Sequence, residues 1–94
     1  MIWSESIKIQ TSGPRADRQC LDYLTEVRRR TREVSQVSFR IFRHKDLPQQ
    51  HMVWLEWDNP NSAMGCSDLS RELVYELKSF GLVDYSAWQF NRGQ

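Results

Sequence analysis

Residues 34–58, VSQVSFRIFRHKDLPQQHMVWLEWD, read as two long strands joined by a polar turn. In the first arm Val37, Phe39 and Ile41 alternate with Gln36, Ser38 and Arg40; in the second Val53, Leu55 and Trp57 alternate with Met52, Trp54 and Glu56. That is the period of two of a strand, in which successive side chains point to opposite faces, and not helical spacing. Between the arms, residues 45–50 are polar and include Pro48, which cannot donate to a ladder, so the chain turns there through a loop longer than a two-residue hairpin. One face of this hairpin is a core face. The other mixes Phe42, Met52 and Trp54 with Ser38, Arg40 and Glu56, and large apolar groups among charges imply a face that something else covers.

The flanking segments fall into place against the hairpin. Ile2 to Gln10 reads as a first strand with Trp3, Glu5, Ile7 and Ile9 on one face, Glu5 being the odd member. Thr11-Ser12-Gly13-Pro14 reads as a turn, and Asp17 to Arg32 as a helix with Cys20, Leu24, Val27 and Thr31 on one stripe and Tyr23 beside them. After the break Asp58-Asn59-Pro60-Asn61-Ser62, the spacing of Leu69, Leu73, Leu77 and Phe80 predicts a helix over 62–80, which Gly81 would stop. Leu82 to Phe90 closes the chain as a strand. The order strand, helix, strand, strand, helix, strand predicts an α+β, ferredoxin-like βαββαβ fold: a four-stranded antiparallel sheet with two helices on one face. The uncovered face, with Phe42, Met52 and Trp54, then suits a second copy of the same sheet, so a homodimer through these residues is expected.

Composition excludes more than it selects. Ninety-four residues make one domain, and a net charge of +1 with 39% hydrophobic and 27% charged residues is ordinary for a globular chain and unlike a disordered one. There is no apolar run of bilayer length and no basic, apolar leader at Met1-Ile2-Trp3-Ser4-Glu5, so a cytoplasmic protein without membrane partners is expected. Charge is uneven: residues 1–45 hold ten Lys or Arg against five Asp or Glu, or +5, and the remainder three against seven, or −4. Most of the excess lies in Arg28-Arg29-Arg30-Thr31-Arg32, which reads either as cations complementing a helix C-terminus or as a nucleic-acid patch. Near-neutrality overall, and Glu56 following Trp54 with no glycine-aromatic signature, argue against a nucleic-acid partner.

Cys20 and Cys66 are distant, with no CxxC, and read as reduced thiols. His44 and His51 flank the hairpin turn; they are expected to be solvated turn-end residues, with catalysis or metal binding as the alternatives, and two such ligands make a poor metal site. No nucleophile motif, phosphate-cradling loop or dinucleotide fingerprint is present, so neither metal nor cofactor is expected.

The succession VSFRIFRHKD, HMVWLEWDNPNSA and an acidic helix start resembles the antibiotic-biosynthesis monooxygenase domain of the dimeric α-β barrel superfamily over nearly the whole chain. The resemblance implies a dimer whose sheets face each other, each subunit holding a small cavity between its own sheet and helices. It also implies an activity among oxygenases of phenols and quinols that use neither metal nor flavin, haem-degrading enzymes, or proteins without a known reaction. The haem-degrading branch has an asparagine on the first strand and a histidine on the second helix; Ser4-Glu5-Ser6 and the absence of histidine over 62–80 argue against that chemistry.

A small-molecule enzyme of this kind needs an apolar pocket with few polar groups, and Trp3, Tyr23, Trp57, Tyr75, Tyr85 and Glu5 are the candidates to line it. Alternation points Glu5 toward the helices, where burial would raise its pKa and suit it to accept a phenol or quinol proton before attack by oxygen. The competing expectations are that Glu5 pairs with an arginine such as Arg28, that it meets water at the strand end, or that the chain is a non-catalytic dimeric module whose tryptophans only pack.

Overall fold

The structure is a computed structural model that describes residues 3–33, 36–58 and 67–89. Six elements follow one another: β1 Trp3–Thr11, α1 Pro14–Thr31, β2 Val37–Arg43, β3 Gln50–Trp57, α2 Asp68–Leu77 and β4 Gly81–Gln89. The strands form one antiparallel sheet in the order β2-β3-β1-β4, with β1 paired on both sides. This is the ferredoxin-like βαββαβ arrangement expected from the sequence.

Register follows the hydrophobic pattern, because a one-residue slip would turn every apolar side chain to the wrong face. Ile7 lies opposite Val53 and Tyr85, and Glu5 opposite Leu55 and Ala87. Ile7, Ile9, Val53 and Leu55 meet Cys20, Leu24 and Val27 of α1 and Leu73 and Leu77 of α2 in one buried cluster, so both helices cover the same face. Each such aliphatic side chain contributes about 1.5–3 kcal/mol on burial. The stripe Cys20, Leu24, Val27 and Thr31 is the buried face of α1, as its spacing requires.

Two boundaries differ from the expectation, each for a local reason. The helix α1 begins at Pro14, inside the segment read as a turn, because a proline at the first helical position has no amide donor to lose there. Gly81 opens β4 and does not cap α2, whose C-cap is Lys78. A Cβ at Gly81 would stand 1.9 Å from the Gln10 carbonyl oxygen, so it is backbone approach to β1 that requires glycine there. The Ser62 helix start, Cys66 and Phe90 lie outside the described residues.

On the outer face, Lys8 and Gln10 of β1 sit with Phe42, Met52 and Trp54 and, from β4, Leu82 and Trp88. Leu82 is 78% exposed, and Phe42 and Trp88 are also exposed. Trp88 Nε1 donates to Ser6 Oγ at 2.9 Å, which ties the indole across the strand pair. Neither helix covers this face.

Candidate functional site

Glu5 is fully buried, at 0% exposure. It reaches this position because period two places it between Trp3 and Ile7 on the helix-facing side of the central strand β1. A carboxylate there without partners would cost several kcal/mol, and the surrounding elements converge to supply donors. From β3, Trp57 donates its indole N–H to Oε1 at 2.6 Å. From β4, the Tyr85 hydroxyl donates to Oε2 at 2.6 Å. At the start of α2, Ser67 donates its hydroxyl to Oε1 at 2.7 Å and its backbone N–H to Oε2 at 3.1 Å.

Ser67 is at the same time the N-cap of α2, its hydroxyl accepting from the Ser70 N–H at 3.1 Å. The carboxylate therefore sits just beyond the amino end of a helix, where the exposed amides favour a negative charge. Trp3 stacks on Trp57 with ring centroids 5.9 Å apart and planes 16° from parallel, closing one side of the group.

These contacts reverse the expected pKa. Burial pushes the Glu5 carboxyl up, but hydrogen bonds from Ser70, Tyr85 and Ser67 outweigh it, and the group is held below the usual carboxylate range. Glu5 is an ionised, locked carboxylate and not one tuned toward neutrality. It has no ion pair with Arg28 or any other arginine among the described residues, and its burial removes it from water.

The remaining candidate residues divide. Trp3, Trp57 and Tyr85 are brought together around Glu5. Tyr23 packs against Phe80 with centroids 6.2 Å apart; its hydroxyl is buried without a partner among the described residues, and burial first, then the charges of Glu72 and Glu76, push its pKa to about 12. Tyr75 is 76% exposed on α2 and lines nothing with Glu5, because it falls between the buried Leu73 and Leu77 on the outward side of the helix. Phe42, Met52 and Trp54 lie on the opposite face of the sheet.

A second polar group, not foreseen as such, occupies the other end of the same sheet face. His51 is 1% exposed and not solvated, since the alternation that carries Val53, Leu55 and Trp57 inward carries His51 inward too. Its Nε2 lies 2.6 Å from Asp17 Oδ1, and Thr11 Oγ1 donates to the same oxygen at 2.9 Å. Burial raises the Asp17 pKa, but the bonds from His51 and Thr11 and the charges of His51 and Arg43 bring it below the ordinary value. Burial, with Asp17 adding to it, lifts the neighbouring Cys20 thiol to about 11, which leaves it protonated and unreactive. His44, by contrast, is exposed and accepts from the Asp46 and Leu47 amides at the turn. No group of three or more His, Cys, Asp or Glu among the described residues has metal-binding geometry.

No protein-family model and no curated protein matches the sequence. Solved structures do match, antibiotic biosynthesis monooxygenases among them, so the resemblance read in the sequence holds for the fold, a ferredoxin-like unit of one four-stranded sheet and two helices. SnoaB, a cofactor-independent oxygenase from Streptomyces nogalater, shares it with a TM-score of 0.72 and 5% identity, over 97% of this chain and 94% of that one. A monooxygenase from the gene ActVA-Orf6 of Streptomyces coelicolor, solved with the ligand nanaomycin D, matches at 0.65 and 16% identity over 95% and 87%. A dimeric ferredoxin-like protein from an uncultured marine organism matches at 0.64 and 13% over 97% and 92%. No helix among the described residues is long and apolar enough to cross a membrane.

Proposed function

We propose that this protein is a homodimeric, monooxygenase-type enzyme that oxidises a phenol- or quinol-type aromatic compound without a bound cofactor, beside Glu5 on the helix-facing side of the sheet. The observation that carries the reading is the buried Glu5 carboxylate, bonded by Trp57, Ser67 and Tyr85 on the face of the sheet that the helices cover. The fold shared with the SnoaB oxygenase and the ActVA-Orf6 monooxygenase supports the class of reaction.

In such a reaction the substrate itself reduces oxygen. A phenol and O2 give a quinone and water: the hydroxyl proton leaves, a C–O bond forms on the ring, and the second oxygen atom departs as water with both electron pairs drawn from the substrate. Glu5, being fully buried, does not touch the substrate in this reading. The half-buried Tyr85 and Trp57 do, and Glu5 fixes where their hydrogens point. A carboxylate held below its ordinary pKa stores a proton poorly, so Glu5 acts here as a positioning residue, and the substrate proton passes through the Tyr85 hydroxyl to solvent.

A second reading, a non-catalytic dimeric binding module, is favoured by the same lowered pKa, because a carboxylate satisfied from four directions can be wholly structural. Oxygen uptake by the purified protein over a panel of phenols and quinols separates the two. The enzyme reading expects substrate-dependent uptake with quinone formation, lost at least tenfold in Tyr85→Phe with the fold intact; binding of the same compounds without uptake supports the module. The dimer is tested by sedimentation: Trp54→Glu places a charge at the centre of the outer face and should yield monomers, whereas a wild-type monomer at micromolar concentration contradicts it.

A further inference from the structure

Between the last turn of α1 and the edge strand β2 lies a cleft of ≈ 380 Å³ lined by Arg28, Thr31, Arg32, Val37 and Phe39. It shares no residue with the Glu5 group, although Val37 stands opposite Trp57 in the β2–β3 ladder and so lies on the same sheet face. Val37 and Phe39 belong to the helix-facing side of β2 and are only partly buried, because β2 is at the sheet's edge and α1 is ending above it.

The arginines here differ from their neighbours. Arg29 pairs with Glu26, and Arg30 lies 3.5 Å from Glu72. Arg28 and Arg32 have no carboxylate within ion-pair distance among the described residues, and both face the cleft. The α1 carbonyl dipole offsets part of their charge, but a helix end alone does not call for an apolar floor beside two cations.

We propose that this cleft is a binding site for a small aromatic carboxylate, its ring laid on Phe39 and Val37 and its carboxylate held between the Arg28 and Arg32 guanidinium groups. Guanidinium forks match a carboxylate in two parallel bonds, and an aromatic ring on Phe39 gains stacking beyond its area. The volume lies in the lower part of the range for small-molecule sites, about 300–1,000 Å³, which suits one or two fused rings. The inference goes beyond the oxygenase reading and does not depend on it.

The test is titration of the full chain with 2-naphthoate, followed by calorimetry and by backbone amide shifts. Saturable 1:1 binding is expected, with shifts centred on residues 28–32 and 37–39. Arg28→Gln should weaken it about tenfold, the usual size of one lost charge-assisted pair, and Arg29→Gln, which lies outside the cleft, should leave it unchanged. The uncharged 2-naphthamide should bind at least about tenfold less tightly for the same reason. The proposal is overturned if no saturation appears up to about 1 mM, if the amide binds as well as the acid, or if inorganic phosphate competes as strongly as naphthoate, which would make this a bare anion site.

Discussion

The two ends of β1 bury polar groups against the helices in opposite ways. At one end Glu5 is an anion surrounded by neutral donors: an indole, a phenol, a serine hydroxyl and a backbone amide. At the other, Asp17 meets the His51 ring and the Thr11 hydroxyl, with Arg43 near enough to act through its charge. The Asp17 side chain keeps 20% of its surface in water, and Glu5 keeps none. Neutral donors aimed at one point hold a charge without a counter-ion, at the expense of requiring every donor to be in place. A carboxylate at the margin tolerates imperfection, because water can replace a missing partner. The Glu5 end is therefore expected to be the rigid one, and the Asp17 end the adjustable one.

The largest effect should come from removing the acceptor at the rigid end. Glu5→Leu leaves the Trp57 N–H, the Tyr85 hydroxyl and both Ser67 donors without their partner, and should cost about 3–5 kcal/mol in urea unfolding. A loss under about 1 kcal/mol would mean that these donors find water readily and that the group is not sealed.

A smaller loss is expected at the other end. Asp17→Asn keeps the shape but removes the charge opposite His51, and should cost about 1–2 kcal/mol, less than Glu5→Leu because the site is partly wet. Equal losses at the two ends would erase the distinction between them.

Acid brings both ends into one measurement. Each carboxyl has its folded pKa lowered, from 4.5 for Glu5 and 3.8 for Asp17, so each contributes stability that is fully present above those values and is lost as pH falls through the folded ones. Chemical denaturation should give a shallow dependence on these groups between pH 7 and 5 and a fall below about 4.5, with a gentler fall in Asp17→Asn. An unchanged acid slope in that variant would show that Asp17 does not titrate with folding.

Much of this contrast was within reach of the sequence. The strand alternation that singled out Glu5 is a property of the local chain, and so is the stripe of α1. His51 was legible by the same rule: two residues before Val53 on β3, it continues the inward set, and only its closeness to the turn suggested solvent. The pKa of Glu5 was not legible, because its sign depends on donors 52, 62 and 80 positions away whose convergence is a matter of register and helix placement. Ser67 carries a readable signal, an N-cap serine before Asp68, but nothing local says that its hydroxyl also turns to β1. The exposure of Tyr75 follows from its place between Leu73 and Leu77, where helical spacing already turns it outward.

The central claim, that Glu5 is a locked anion and not a base poised near neutrality, is tested most directly by its own titration. With the glutamate side-chain carboxyl carbons labelled in 13C, the Glu5 resonance should titrate with a midpoint below the ordinary 4.5. A midpoint above 5 in the folded protein would contradict the account and return Glu5 to the role of general base.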